Sequence, residues 1–181
     1  MPGGDLALGR GCPHHTSMAD ALATEVTADG DDEEISAILL EVCNATRMGF
    51  VALARVTEDR WITAQVLDRI GFGLLPGEEL DVKTTICNDI REGGQAIIID
   101  RVADDPNWRK HPVPILYGFQ SYASLPVMLE DGSFYGTLCA IDPEERVLGG
   151  RDTVALLEQC AKRVASIITK NRQALVAADG A

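Results

Sequence analysis

The sequence predicts an α+β domain built on a mostly antiparallel sheet, with helices on one or both faces. Three observations carry this. Apolar runs at Ser121–Leu129 and Phe134–Asp142 flank Glu130-Asp-Gly-Ser133, whose Asp-Gly centre is hairpin-turn chemistry. A second pair of strand-like runs, Phe50–Val56 and Trp61–Leu67, brackets the turn Thr57–Arg60. Helical periodicity bounds both hairpins, with apolar residues recurring at three and four around Glu33–Arg47 and again over Asp152–Ala174.

The elements follow in order. Residues 1–32 read as a flexible leader, broken by Gly3, Gly4, Gly9, Gly11 and Pro13, with a short helix at most over Ala19–Val26. The acidic run Asp29–Glu34 suits the start of the next helix, whose apolar face is Ile35, Ile38, Leu39, Val42 and Cys43, and Gly49 ends it. After the first hairpin, Leu74–Gly77 is a loop. Thr84 or Thr85 caps a helix running to Arg91, stopped by Gly93 and Gly94. Gln95–Asp100 is a short apolar strand. Arg101–Pro114 is irregular, and Ile115–Phe119 is a short helix before the second hairpin. Residues 33–170 form the expected domain, and 171–181 extend its last helix.

Composition narrows the function. The chain has 181 residues, 46% of them hydrophobic and only 5% aromatic, so its core is chiefly aliphatic. A net charge of -12 repels phosphate backbones and anionic lipid, which argues against nucleic-acid or membrane partners. No apolar run reaches membrane-spanning length, and no basic stretch precedes an apolar one near the N-terminus. Five widely spaced cysteines without a C-x-x-C fit reduced thiols, so the expected location is cytoplasmic.

Four blocks in sequence carry a family resemblance. They are Thr84-Thr-Ile-Cys-Asn88, Ile97–Asp100 followed by Ala103–Trp108, Tyr122-Ala-Ser-Leu-Pro126, and Gly136-Thr-Leu-Cys-Ala-Ile-Asp142. Their order and spacing over about Glu33–Ile168 resemble the GAF family of sensory domains. That resemblance implies a GAF/PAS-like central antiparallel sheet of five or six strands. It implies N- and C-terminal helices on one face and, on the other, a ligand pocket roofed by Lys83–Phe119. It also implies a sensor of the kind attached to bacterial histidine kinases, with a small-molecule ligand and an output kinase or regulator domain as partners. No segment resembles the kinase H-box or ATP lid, so catalysis within the chain is not expected.

Subfamilies can be sorted by residue. Bilin-binding members carry a cysteine near the helix before the Tyr122 strand, and Trp108–Phe119 has none, so no covalent bilin is expected there. A non-covalent small molecule of unknown identity remains the cofactor expectation. The N-K-x-x-F-x-x-x-D-E pattern of cyclic-nucleotide binders is absent. Free methionine sulfoxide reductases use paired cysteines, and after Cys87 none follows before Cys139.

Candidate ligand residues are Cys87, Asp100, Trp108, Arg109, His111, Tyr117, Phe119 and Tyr122. Cys87 near a helix start would have a lowered thiol pKa, whereas its bland alternative is a small buried apolar residue. Arg109 or His111 could pair with an anionic group and Trp108 could stack on a ring; otherwise they form a solvated loop anchored by Trp108. Cys139 reads as core packing, and Cys43 and Cys160 as structural. Cys12, His14 and His15 have metal-compatible chemistry but lack a second cluster, so no metal is expected. No nucleophile–base set, P-loop or dinucleotide fingerprint is present.

In the last helix Val154, Leu157, Ala161, Val164, Ile168, Asn171 and Leu175 alternate at three and four, an a/d seam over three heptads. This predicts a parallel homodimer in which terminal helices form a bundle and relay the signal. Three alternatives stand beside the sensor: a bilin photoreceptor, a thiol redox sensor or reductase using Cys87, and a purely structural dimerisation module.

Overall fold

The computed structural model describes residues 20–180. Its chain order is α1 (Ala21–Gly30), α2 (Glu33–Thr46), β1 (Phe50–Val56), β2 (Trp61–Asp68) and β3 (Glu79–Leu80). Next come a 3-10 turn (Val82–Thr84), α3 (Cys87–Gly93), β4 (Ile97–Ile99) and a second 3-10 turn (Val102–Asp104). The chain closes with α4 (Pro112–Tyr117), β5 (Ser121–Met128), β6 (Phe134–Asp142) and α5 (Arg151–Asp179). All strand pairs are antiparallel in one six-stranded sheet of order β3-β2-β1-β6-β5-β4. The expected α+β sheet with helices around it is therefore present.

Strand alternation divides the interior into two layers. On β1, Val51 and Leu53 face the α1, α2 and α5 side, whereas Phe50, Ala52 and Ala54 face the other. Ile35, Ile38, Leu39 and Val42 of α2 meet Leu157, Cys160, Val164 and Ile168 of α5 across the first layer. Each fully buried aliphatic side chain there contributes about 1.5–3 kcal/mol. The second layer lies beneath α3, α4 and the 3-10 turns.

Local chemistry explains the helix ends. Asp32 caps α2 by accepting from Glu34 N at 2.8 Å and Ile35 N at 3.3 Å. That helix ends at Thr46 with Arg47 in the left-handed region (φ 59°), before the expected Gly49 stop. Thr85 is no cap: its hydroxyl bonds back to Val82 O, and α3 begins at Cys87 with no side-chain cap. His111 caps α4 instead, which starts at Pro112 rather than Ile115. The last helix runs five residues past the expected Ala174, to Asp179.

The expected flexible leader to residue 32 needs correction within the described residues. Residues 21–30 form α1, with Val26, Asp29 and Gly30 buried. A Cβ on Gly30 would collide with the Ala64 backbone, so only glycine permits this approach of α1 to β2. Cys12, His14 and His15 lie outside the described residues. The two-residue β3 was not anticipated either. Arg60, in the β1–β2 turn, pairs with both Asp20 at the start of α1 and Glu79 of β3.

The a/d seam of α5 also meets a different use. Leu157, Ala161, Val164 and Ile168 are buried against the chain's own sheet and α2, and Val154 is half-buried. In the single chain these residues are spent on the domain core. Asn171 donates to Asp32 at 2.8 Å rather than fixing a coiled-coil register. Leu175 and Val176 remain, 63% and 73% exposed.

Candidate functional site

Beneath α3 and α4 the second layer leaves an apolar cavity of about 40 Å³. Phe50, Trp61, Tyr122, Cys139 and Ile141 rise from the sheet, while Thr85, Ile86, Cys87, Val113 and Tyr117 come down from the roof. Phe72 and Phe119 close the side, Phe72 against Phe50 at 4.7 Å between ring centroids and Phe119 stacked on Tyr122 at 5.4 Å. A cavity of that size holds little more than a water, far below the ~300 Å³ or more of sites for larger ligands. An outer groove of about 310 Å³ shares Phe72, Tyr117, Phe119 and Ile141 with it. The Phe72 and Tyr117 rings, 5.8 Å apart, stand in the wall between the two spaces.

Polar atoms at the site converge on Cys87. The Thr137 hydroxyl donates to its sulfur at 3.2 Å, and Tyr122 Oη and Ser124 Oγ lie 3.5 and 3.9 Å away. The Cys139 thiol lines the same cavity and favours the charged form of Cys87. Chiefly because of that thiol, with help from Thr137 and Tyr122, Cys87 is held down to about 6 despite burial. Cys139 is pushed the other way, well above an ordinary thiol, because the pair keeps one proton on its side. Burial, and then the Cys87 charge, raise Tyr122. The cause at Cys87 is thus a set of donors across the sheet rather than the helix start expected from sequence. Trp61 Nε1 is buried and lacks a hydrogen-bond partner among the described residues. Its N–H adds a weak favourable interaction with the Cys87 sulfur, too poorly placed to count as a bond.

The eight candidate residues part company here. Cys87, Tyr117, Phe119 and Tyr122 line the cavity together, and Tyr117 Oη reaches Thr84 Oγ1 at 2.9 Å. The other four do not line it. The Asp100 carboxylate accepts Leu148 N and Gly149 N, both at 2.9 Å, and so braces the entry to α5. His111 Nδ1 accepts Val113 N–H at 3.3 Å, and its ring meets the half-buried Trp108 edge-on at 4.9 Å. Arg109 is exposed. Sequence reasoning missed Trp61, Phe72 and Cys139 as cavity residues. The spacing of Thr137, Cys139 and Ile141 on one strand face could have flagged Cys139. The signature's Asp142 is structural: buried, it accepts Gly49 N at 2.8 Å and Glu144 N at 2.9 Å.

Among the described residues no group of three or more His, Cys, Asp or Glu is arranged to hold a metal. No helix among them is long and apolar enough to cross a membrane.

A family model described as GAF domain matches residues 32–168. No curated protein matches the chain. Among solved structures, the blue-light absorbing form of the Thermosynechococcus elongatus PixJ GAF-domain is 8% identical, with 91% of this chain and 96% of that one covered and a TM-score of 0.64. The GAF domain of a two-component sensor histidine kinase from Bacillus halodurans is 13% identical, with 79% and 96% covered and a TM-score of 0.59. The type II free methionine-R-sulfoxide reductase from Thermoplasma acidophilum is 12% identical, with 82% and 96% covered and a TM-score of 0.58. At these identities the likeness is one of fold.

Proposed function

Because the chain belongs to the GAF domain family, we propose that it is the sensory module of a bacterial signal-transduction protein, of the kind that feeds a histidine kinase. A small, largely apolar molecule with one hydrogen-bond acceptor is its ligand. The carrying observation is the apolar cavity with Trp61 in its lining, whose buried N–H has no hydrogen-bond partner among the described residues. A buried donor without a partner costs about 1–3 kcal/mol, which an acceptor on a ligand recovers. The closed cavity is too small for such a molecule, so binding displaces Phe72 and Tyr117 and joins the cavity to the outer groove. The sheet's other face holds α5, whose residues from Gln173 onward are all exposed and free to carry the output. In this reading two copies meet through those last turns.

The test is native mass spectrometry with an absorption spectrum, then thermal shift against small metabolites. A stabilising ligand is expected, and Trp61→Phe weakens it about 5-fold, the worth of one net hydrogen bond of about 1 kcal/mol. A ligand bound equally by Trp61→Phe removes the proposed contact, and no stabilising molecule at all removes the ligand-sensing reading.

A further inference from the structure

The same cavity contains chemistry that ligand binding does not use. Cys87 and Cys139 are far apart in sequence, and the fold brings them to one cavity, Cys139 from the sheet and Cys87 from the roof. The placement follows from the sheet. Cys139 pairs with Ser124 across β5 and β6, and Ser124 Oγ lies 3.9 Å from Cys87 Sγ. Thr137, two residues before Cys139 on the same strand, donates to that sulfur at 3.2 Å. Cys43 and Cys160, also buried, sit in the opposite layer among aliphatic side chains.

We propose that Cys87 and Cys139 are a peroxide-responsive thiol pair, Cys87 the attacking sulfur and Cys139 the resolving one. The assignment rests on the sensory reading of this cavity and adds a second class of signal beside the ligand, a small hydroperoxide. In the first step the Cys87 thiolate attacks the terminal peroxide oxygen. The S–O bond forms, the O–O bond breaks, and the leaving alkoxide takes up the proton that Cys87 gave off, departing as alcohol or water. In the second step the Cys139 sulfur attacks the Cys87 sulfenic acid. The S–S bond forms, the S–O bond breaks, and the hydroxyl leaves as water with the Cys139 proton. Two electrons pass from the two thiols to the peroxide, and two equivalents of a cellular thiol reverse the change by exchange, leaving as their own disulfide.

Three features suit this chemistry. The donors around Cys87 favour its thiolate, and a thiolate is the reacting form. The Trp61 N–H, beside the Cys87 sulfur and without a hydrogen bond among the described residues, is a donor for the oxygen that the first step adds to Cys87. The cavity admits a molecule of roughly water's size, which selects hydrogen peroxide over bulkier oxidants. Entry is from the outer groove past Phe72 and Tyr117.

The experiment treats the reduced full chain with equimolar hydrogen peroxide, quenches in acid, alkylates in denaturant and maps the peptides by mass spectrometry. A Cys87–Cys139 disulfide is expected, with Cys43 and Cys160 alkylated. In Cys139→Ser the expected product is Cys87 sulfenic acid, trapped by dimedone, and Cys87→Ala leaves Cys139 reduced. Far-UV circular dichroism confirms that each variant is folded. Alkylation of both Cys87 and Cys139 in the treated wild-type chain overturns the proposal, as does a disulfide that excludes either one. The ligand screen under reducing conditions is read separately, so loss of the thiol pair and loss of ligand sensing are distinguishable.

Discussion

At the scale of single residues, Cys87 shows how neighbours decide a side chain's chemistry. A buried thiol in an apolar cavity should be inert, because desolvation opposes its charge. Here donors from two strands, β5 and β6, are aimed at one sulfur and reverse that tendency. A lowered thiol pKa means that the reactive thiolate is present above the shifted value and lost below it. The rate of peroxide reaction, followed by Trp61 fluorescence, is therefore expected to be level near neutral pH and to fall as pH drops below about 6. A rate still climbing toward pH ~8.5 would mark an ordinary thiol and dispose of the donor account. Residue types and order revealed Cys87, Tyr117, Phe119 and Tyr122 as pocket residues. They could not reveal that Cys139 meets Cys87, since that contact depends on strand register. Nor could they show that Asp100 and His111 are occupied with backbone N–H groups at helix and loop ends.

At the scale of elements, α1 and α5 are tied by one side chain. Arg172 of α5 holds Asp29 of α1 in a two-pronged pair at 3.0 and 2.5 Å and reaches Glu25 at 2.7 Å. The Asp29 bond foremost raises the Arg172 pKa further above its usual value. The guanidinium also lies over the Tyr135 ring, 5.4 Å from its centroid, with Arg55 over the same ring at 5.2 Å. Arg172→Ala would leave the Asp29 carboxylate buried without its partner. The arginine is partly exposed, so the expected loss is about 1–2 kcal/mol rather than the larger cost of a fully buried pair. Hydrogen exchange should show α1 and the last turns of α5 opening first, with the sheet unchanged. Unaltered exchange in α1 would mean that the pair is not what holds it. The hairpins and α2 were legible because their periodicity and turns are local. Helix α1 was expected only as a short helix over Ala19–Val26; its run to Gly30 was not legible, because an acidic, glycine-marked segment has little pattern of its own and is fixed by packing on β2. Strand β3, two residues held in part by Arg60, has no local signature at all.

At the scale of the whole molecule, the seam on α5 that suggests a partner is turned inward, and its continuation is not. A charge at Val164 would thus report on folding, since that side chain is fully buried. The dimer reading is tested where the helix is bare: Leu175→Asp with Val176→Asp is expected to shift a dimer to monomer in light scattering, with the far-UV circular dichroism of a folded chain retained. A dimer indifferent to both charges would place the interface elsewhere or remove the relay through these turns. The position of β6 has one more consequence. Its Cys139 borders the cavity and its Thr137 donates to Cys87, whereas Leu138 and Ala140, alternating with them, lie in the layer shared with α5. The strand is a diaphragm one backbone thick, with the transducer bonded to one side and the stylus resting on the other. A bond made or broken at Cys87 need not travel along the fold to be felt at α5; it has only to dent the skin between them.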